Sequence, residues 1–416
     1  MKTNEFEKYA NSFQAVTVPG LERIGALMRL VGNPERDLRF FHIAGTNGKG
    51  SVSANLACIL EEAGFKVGKY ISPNLISVNE RISISGINIS DDDLSRILGA
   101  LEPLCKIAEA ECGSAPTQFE IWTAAAFIYF KEMACDFVVL EVGLGGEFDA
   151  TNVIDKCECS IITRLGIDHS AYLGNTIESI ASAKAGIMKK NTRLGRVFTV
   201  NQEDAALRVL YERAKSLNLL LDIAEPSPLG FLGVYECFEL AGGVFRCGLP
   251  GYHQIENASL AIMAARAMGI EDDIIERGVA RAKNPARFEI IRENPYVIYD
   301  GGHNENGIAA LTASLERYFG NVKKTVIFAA MKDKDIENSL KMLSTAGTEF
   351  IFTTVRDNPR AASAEELSSK ARALGFEGEG YEDIREAYDK AIERGCLVLI
   401  CGSLYLYKDF KELVKA

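Results

Sequence analysis

The 416-residue sequence lacks several features that mark whole classes of protein. No stretch approaches 18 consecutive apolar residues, and residues 1–13 lack the apolar segment of a signal peptide, which argues against a membrane-spanning or secreted protein. Positive charge is also scarce, since 46 Lys and Arg stand against 57 Asp and Glu and the net charge is −11. This balance disfavours a broad nucleic-acid surface. We therefore expect a cytoplasmic protein that binds neither membranes nor nucleic acids.

The ten cysteines do not have the spacing of a zinc site, because Cys157 and Cys159 form C-x-C without a second pair. Five others fall within apolar helix or strand patterns, where a free thiol packs as a small hydrophobic group: Cys58, Cys105, Cys135, Cys396 and Cys401. These positions favour reduced, structural thiols over a disulfide framework, in agreement with a cytoplasmic location.

Strand patterns alternate with helical patterns along most of the chain, which predicts a parallel α/β architecture. We predict an N-terminal P-loop ATPase-like parallel-sheet domain over residues 1–283, a linker over 284–296 and a smaller Rossmann-like C-terminal domain over 297–416. Residues 73–90 are polar and irregular in pattern and predict a functional loop. Residues 229–250 predict a short hairpin region.

A glycine-rich turn, "GTNGKGS" at residues 45–51, follows the first strand and opens a helix predicted from Lys49 to about Ala63. Such a turn presents backbone N–H groups to an anion at the positive end of the helix. Lys49 would reach the β- and γ-phosphates, and Ser51 the phosphate or its metal. The spacing is shorter than that of the general P-loop, G-x-x-x-x-G-K-[ST]. A plain strand–helix turn is the alternative, and the lysine favours phosphate binding.

Polar residues follow two further strands, at the sheet edge where ligands of open α/β folds gather. Glu141 ends an apolar strand, where either Mg²⁺ on a triphosphate or a neighbouring lysine would satisfy its charge. Asp168 and His169 follow another strand, and a hydrogen-bonded loop histidine is the alternative to a ligand. Lys184 lies between alanines on a helix, where a lysine–acid pair is the alternative to a functional amine.

A second strand-to-glycine turn occurs in the C-terminal region. Asp300, Gly301, Gly302 and His303 follow the strand "PYVIYD", with Arg287 upstream in "PARFE". The pattern predicts either a nucleotide contact or a hairpin turn with a capping aspartate.

Nine motifs occur in order along nearly the whole chain: "GTNGKGS", "SPNLISVNERI", "TQFE", "LEVGLGGEFDATN", "IDHSAYLGNTIESIASAKAGI", "LPGYHQIENASLA", "PARFE", "DGGHNENG" and "MKDKD". Together they resemble the folylpolyglutamate synthase/dihydrofolate synthase family of the Mur ligase superfamily, which uses this shorter phosphate loop. The resemblance implies that a carboxylate of the acceptor attacks the γ-phosphate of ATP, and that the amine of L-glutamate attacks the resulting acyl phosphate. The products would be an amide, ADP and phosphate. The implied acceptor is a pterin acid, either dihydropteroate or a reduced folate, and the implied assembly is a monomer.

The resemblance also implies the roles of individual residues. ATP would lie between two domains and contact Thr46, Asn47, Gly48, Lys49, Gly50, Ser51, Asn257, Arg287, Asp300 and His303. Magnesium, expected as two ions and compatible with an additional monovalent cation, would be held by Ser72, Glu141, His169 and Lys184. The expected catalytic residues are Lys49, His169 and Lys184, the last of which matches a lysine that is carbamylated in this superfamily. Acceptor-side residues would be Asn74, Arg81, Gln118 and Asp149.

Four positions depart from the family's usual pattern. Asn74 replaces a histidine, Gln118 an aromatic residue and Glu147 an arginine, and "GGHNEN" replaces the common G-A-H-N-P. Because three of these changes fall on the acceptor side, a Mur-type ligase for a different carboxylic acid remains an alternative. A non-catalytic nucleotide-binding homologue is a third hypothesis, which the intact Lys49 and metal positions disfavour.

Overall fold

A computed structural model describes residues 19–345 and 347–415. The N-terminal residues 1–13, on which part of the expectation about secretion rests, lie outside the described residues. Described residues as far as Pro228, with Phe238–Arg246 and Glu256–Ala282, form a first compact unit. A second unit contains Leu229–Cys237, Cys247–Ile255 and the residues from Lys283 onward. The predicted boundaries at residues 283 and 297 stay a prediction.

The described chain contains seventeen strands, which are numbered in chain order: β1 Phe40–Ala44, β2 Val67–Tyr70, β3 Ile82–Ile84, β4 Ile87–Asn88, β5 Phe137–Glu141, β6 Cys159–Ile162, β7 Arg196–Val200, β8 Leu220–Ala224, β9 Ser227–Leu232, β10 Tyr235–Leu240, β11 Gly243–Arg246, β12 Glu289–Glu293, β13 Tyr296–Asp300, β14 Lys324–Phe328, β15 Thr348–Phe352, β16 Gly378–Gly380 and β17 Leu397–Cys401. The α-helices span Glu22–Leu30, Lys49–Glu62, Asp91–Cys112, Gln118–Glu132, Ser170–Leu173, Ile177–Ala185, Asp204–Ser216, Gln254–Ala267, Asp272–Arg281, Glu305–Phe319, Ile336–Leu343, Ala364–Ala373, Ile384–Glu393 and Leu406–Lys415. Short 3₁₀ helices span Pro34–Asp37, Val78–Arg81 and Ala150–Val153.

The first unit is built on an eight-stranded sheet of order β4-β3-β2-β5-β1-β6-β7-β8. Strands β2, β5, β1, β6, β7 and β8 pair in parallel, and β3 and β4 are antiparallel. Every residue of β1, β5 and β6 is buried, as the continuous apolar runs of these strands predict. The parallel pairing places the segments that follow β1, β5 and β6 at one edge of the sheet.

The helices Asp91–Cys112 and Gln118–Glu132 each begin at a residue whose side chain caps the first turn. Ser90 Oγ accepts a hydrogen bond from Asp93 N, and three acidic residues in the first turn of Asp91–Cys112 suit the helix dipole. Thr117 and Glu120 form a capping box at the start of Gln118–Glu132. The buried Glu120 also pairs with Arg23 at 3.0 Å, so its charge is compensated.

The prediction of an irregular loop over residues 73–90 was wrong in part. This segment contains the 3₁₀ helix Val78–Arg81 and the strands β3 and β4. The Glu80 carboxylate organises the polar stretch before them, because it accepts hydrogen bonds from Leu75 N (2.7 Å), Ile76 N (3.1 Å) and Ser77 N (3.1 Å). Side-chain capping of this kind orders a polar segment without an apolar periodicity.

The second unit contains a six-stranded sheet of order β12-β13-β17-β14-β15-β16. Only β12 is antiparallel to its neighbour, and the other five strands are parallel. Strands β9, β10 and β11 form a separate three-stranded sheet within residues 227–246, where the sequence predicted a hairpin region. The predicted α/β class with large parallel sheets is confirmed. Within residues 19–345 and 347–415, every helix is too short or too polar to span a bilayer.

Candidate active site

The glycine-rich loop is anchored to the segment that follows β6. Thr46 N and Asn47 N both donate to Arg164 O, at 3.0 and 3.2 Å. Thr163 Oγ1 donates to Asn47 O at 2.6 Å, and a Cβ added at Gly45 would lie only 1.8 Å from that hydroxyl. The close approach of the two segments therefore requires glycine at position 45. The anchors leave the loop at the N-terminus of the helix Lys49–Glu62, a position suited to an anion.

Gly48 precedes this helix with φ +93°, and a Cβ added there would lie 2.2 Å from Asn257 Oδ1. We expect Gly48→Ala to lower ATP affinity at least about tenfold, because the loop must shift to relieve the contact. Gly64→Ala is the matched control, since Gly64 has φ +89° and its added Cβ would meet nothing within 4 Å beyond its neighbours in the chain. Isothermal titration with ATP measures the effect, and equal affinities of the two variants would contradict the assigned geometry.

Two lysines converge on one carbonyl of the loop. Lys49 Nζ donates to Gly45 O at 3.0 Å, and Lys184 Nζ donates to the same oxygen at 2.9 Å. Lys184 is 4% exposed. Burial, followed by the positive charge of Lys49, lowers the pKa of Lys184 to about 7, against the opposing effects of Asp168 and Asp149. Two cationic groups held this close repel each other, and a bound polyanion would relieve the repulsion.

The pKa of Lys184 has a consequence for stability. The unfolded chain binds a proton at this amine up to its ordinary pKa of 10.5, and the folded protein only up to about 7. Because the unfolded state holds more protons in this window, the free energy of unfolding rises with pH across it. Relative to Lys184→Met, the wild type should gain about 1.4 kcal/mol per pH unit in this window. Urea unfolding in bicarbonate-free buffer measures the difference, and a pH-independent difference would contradict the assignment.

The predicted metal ligands lie after neighbouring strands. Glu141 is 5% exposed, ends β5 and pairs in register with Ile43 of β1. His169 has φ +53° and is exposed at the start of the helix Ser170–Leu173, and its N–H donates to Asp168 Oδ1 at 2.8 Å. Ser72 is half-buried two residues after β2.

No cluster of three or more His, Cys, Asp or Glu side chains suited to a metal ion occurs among the described residues. Magnesium commonly keeps several waters and takes one or two carboxylates together with substrate phosphates. A single carboxylate at Glu141, which ends the strand beside β1, fits an ion that arrives with a nucleotide. It does not fit a metal held in a cage of protein ligands alone.

Two of the acceptor-side residues are brought together by a hydrogen bond. Arg81 Nε donates to Asn74 Oδ1 at 2.8 Å, so the amide that replaces a histidine orients the guanidinium. Gln118 lies in the first turn of the helix Gln118–Glu132. Its neighbour Phe119 covers the segment after β5, because a Cβ added at Gly143 would lie 2.5 Å from Phe119 Cζ.

Asp149 is buried, and its carboxylate is used within its own loop. Oδ2 accepts from Leu144 N at 2.8 Å, and Oδ1 accepts from Thr151 N at 3.0 Å and from Thr151 Oγ1 at 2.5 Å. Burial raises the pKa of Asp149, and these hydrogen bonds oppose the rise. The sequence predicted an acceptor-side residue here, and the geometry adds a role in holding the loop.

In the second unit, Asp300 organises the segment that carries Arg287. Asp300 Oδ2 accepts from Phe288 N and Oδ1 from Gly302 N, both at 2.7 Å. Burial raises the pKa of Asp300, and the charge of Arg287 opposes the rise. His303 Nδ1 donates to Gly301 O at 2.9 Å. The structure thus places Arg287 close to Asp300, and the predicted contact of both residues with a nucleotide stays a prediction.

Cysteine chemistry plays no part in this arrangement. All ten cysteines lie among the described residues and are free thiols. Burial raises the pKa of Cys157 and Cys159, which disfavours the thiolate needed for metal binding or nucleophilic attack. Cys157 Sγ lies 3.8 Å from the hydroxyls of Ser160 and Thr192, as a packed thiol does.

Comparison with known proteins shows which family the chain belongs to. Residues 43–265 match the Mur ligase middle domain, and residues 286–404 match the Mur ligase, glutamate ligase domain. The dihydrofolate synthase/folylpolyglutamate synthase of Bacillus subtilis is 37% identical over 95% of both chains. The enzyme of the same name from Escherichia coli is 31% identical over 98% of this chain and 94% of its own. The chain belongs to the folylpolyglutamate synthase/dihydrofolate synthase family of the Mur ligase superfamily.

Solved structures of this family agree with the fold. Mycobacterium tuberculosis folylpolyglutamate synthase complexed with ADP has a TM-score of 0.91 at 29% identity, covering 100% of this chain and 98% of that one. Escherichia coli FolC in complex with DHPP and ADP has a TM-score of 0.86 at 28% identity, with 99% and 97% covered.

The departures from the family's usual residues have local explanations in two cases. Glu305 stands where proline is usual, in the first turn of Glu305–Phe319, and an acidic residue suits that turn as well as proline does. Glu147 donates its backbone N–H to Ala183 O at 2.8 Å, while its side chain is exposed. The charge reversal at Glu147 therefore alters the surface of the loop without a cost to its backbone contacts.

Proposed function

We propose that this protein is an ATP-dependent ligase that forms an amide between a pterin acid and L-glutamate, with release of ADP and phosphate. The observation that carries the proposal is the convergence of Lys49 and Lys184 on Gly45 O at a helix N-terminus. The Lys49 ammonium group and the helix end together favour a triphosphate, and Lys184 lies at the same carbonyl, where its carbamate could hold the metal ion that accompanies the phosphates. The reaction is inferred from the relatives from B. subtilis and E. coli, which are both named dihydrofolate synthase/folylpolyglutamate synthase.

The principal difficulty of this reaction is charge, because an acceptor carboxylate must approach the triphosphate. Lys49 and the backbone of Thr46, Asn47, Gly48, Gly50 and Ser51 bind the phosphates and lower the negative potential. A carboxylate oxygen then attacks the γ-phosphorus, the bond to the β-phosphate oxygen breaks, and ADP leaves. The amine of glutamate attacks the acyl carbon, loses a proton and expels phosphate, which retains one oxygen of the original carboxylate.

Magnesium would be held by Ser72, Glu141 and His169, with Lys184 as a carbamate, and it would screen charge between the carboxylate and the phosphates. Two ions are proposed, and a monovalent cation is compatible with the site. The lowered pKa of Lys184 supports the carbamate, because only the neutral amine can attack CO₂. That attack forms an N–C bond, opens one C=O π bond of CO₂ and releases one proton, so that the neutral amine becomes an anionic carbamate.

The remaining roles are assigned by position. Asn257, Arg287, Asp300 and His303 are proposed to contact the nucleotide, with Asp300 also holding the segment that carries Arg287. On the acceptor side, Arg81 is proposed to pair with a carboxylate of the substrate, in the orientation that Asn74 imposes. Gln118 and Asp149 complete this side.

We also propose that the protein acts as a monomer in the cytoplasm. The ten free thiols support a reducing compartment.

A phosphate-release screen tests the proposal. Dihydropteroate, tetrahydrofolate and a panel of unrelated carboxylic acids are each supplied with ATP, Mg²⁺ and one amino acid at a time. We expect release that depends on a pterin acid and on L-glutamate. Turnover with an unrelated acid alone would instead favour a Mur-type ligase with a different acceptor, to which the exposed Glu147 and the Asn74–Arg81 pair would be suited.

A further inference from the structure

Asp149 terminates a buried chain of hydrogen bonds that begins on the central strand β1. His42 and Thr151 are 0% exposed, and Asp149 is 6% exposed. His42 Nε2 lies 2.9 Å from Thr151 Oγ1, and Thr151 Oγ1 lies 2.5 Å from Asp149 Oδ1. All three side chains belong to the first unit. His42 is thus linked to the Asp149 carboxylate by two hydrogen bonds that share the Thr151 hydroxyl.

The donor and the acceptor of each hydrogen bond in this series follow from the protons that the three side chains carry. Asp149 accepts from Leu144 N at 2.8 Å and from Thr151 N at 3.0 Å, as an ionised carboxylate does, since it has no proton to donate. The single hydroxyl proton of Thr151 therefore goes to Asp149. His42 Nε2 must then carry the proton that is donated to Thr151.

The other ring nitrogen leads to the same tautomer. His42 Nδ1 is buried and lacks a hydrogen-bond partner among the described residues. An unpaired acceptor is tolerated in a protein interior more readily than an unpaired N–H donor. Burial lowers the pKa of His42 well below its usual value, which keeps the ring neutral. The ring is therefore protonated at Nε2 only.

The loop shaped by Asp149 touches the helix that carries Lys184. A Cβ added at Gly146 would lie 2.6 Å from Ala183 O and 3.0 Å from Lys184 Cα. Glu147 N donates to the same Ala183 carbonyl at 2.8 Å. The loop is therefore packed against the backbone of Ala183 and Lys184, while the Lys184 amine is held separately by Gly45 O.

We propose that His42 is a positioning residue whose Nε2–H, relayed by Thr151, fixes the Asp149 carboxylate and with it the loop between Gly143 and Asp149. The kinetic consequence rests on the proposed ligase function, in which this loop borders the acceptor. The phosphate loop has its own anchors on Arg164 O, so loss of the relay impairs use of the acceptor and leaves ATP binding intact.

Kinetics of four variants test the relay. Thr151→Val removes the hydroxyl with little change of shape, and we expect kcat/KM for the pterin acid to fall about tenfold or more, with the KM for ATP unchanged. Thr151→Ser keeps the hydroxyl and His42→Gln keeps an N–H donor, so both variants should retain most of the wild-type activity. Thr199→Val is the matched control, because it removes another fully buried hydroxyl of the first unit, one that donates to Ile162 O. Equal loss for Thr199→Val, or equal changes in both KM values, would overturn the proposal.

The tautomer provides a readout that is independent of activity. Nitrogen-15 NMR of histidine-labelled wild-type protein, assigned by loss of a signal in His42→Gln, should show His42 protonated at Nε2 and unprotonated at Nδ1. A proton at Nδ1 would overturn the relay even if the enzyme is active. If the wild type lacks ligase activity, the proposed function fails, and the tautomer still decides whether the relay exists.

Discussion

Replacing Lys49 by Ala is expected to lower ATP-dependent ligation by about a hundredfold to a thousandfold, the usual effect of removing a group that stabilises transition-state charge. Lys49 lies at the first position of the helix Lys49–Glu62, and its amine is directed back to the loop at Gly45 O and Thr46 O. When phosphates bind, the Lys49 amine would leave these carbonyl oxygens and form stronger, charge-assisted hydrogen bonds with the phosphates. Phosphate release at saturating acceptor and glutamate measures the effect.

The control for this variant is Lys106→Ala, which removes an exposed lysine from the middle of the helix Asp91–Cys112. It should retain wild-type turnover. Turnover of Lys49→Ala equal to that of Lys106→Ala would refute the role assigned to Lys49.

Replacing Lys184 by Met is expected to lower turnover by about a hundredfold or more, because it removes both the amine and the carbamate proposed to form on it. A short exogenous carboxylate should rescue the variant poorly, since the cavity left by one side chain lies within a buried site. Lys189→Met is the matched control. Lys189 is half-buried with a lowered pKa, but its Nζ donates to Asn152 O at 3.0 Å, whereas that of Lys184 donates to Gly45 O of the glycine-rich loop.

The carbamate itself can be observed by carbon-13 NMR with labelled bicarbonate and Mg²⁺. A carbamate signal is expected in the wild type and in Lys189→Met, and its loss is expected in Lys184→Met. A spectrum of the wild type without a carbamate signal would contradict the proposed anionic ligand at Lys184.

The sequence predicted the phosphate loop and the parallel strands because both leave strong local patterns. The apolar runs of β5 and β6 can be accommodated only by strands buried on both faces, and glycines at 45 and 48 permit close contacts that larger residues would prevent. The β3–β4 hairpin was not predicted, since its order depends on side-chain capping by Glu80 rather than on periodicity.

Residue roles that depend on tertiary contacts were harder to predict from the sequence. The carboxylate of Asp149 holds its own loop through Leu144 N, five residues earlier, and the turn between them has no distinctive residue pattern for that bond. His42 looked like one residue of an apolar strand, because its partner Thr151 lies 109 residues away. A polar residue within a continuous apolar strand was the available signal, and it indicates that a buried partner must exist.

The most direct test of the central claim follows oxygen through the reaction. The pterin acid is labelled with oxygen-18 in its reacting carboxylate, and the phosphate released with ATP and L-glutamate is examined by mass spectrometry. If the acceptor forms an acyl phosphate, each turnover transfers one labelled oxygen to phosphate, and the amide product retains the other. Unlabelled phosphate formed together with amide would show that the carboxylate does not attack ATP and would contradict the proposed mechanism.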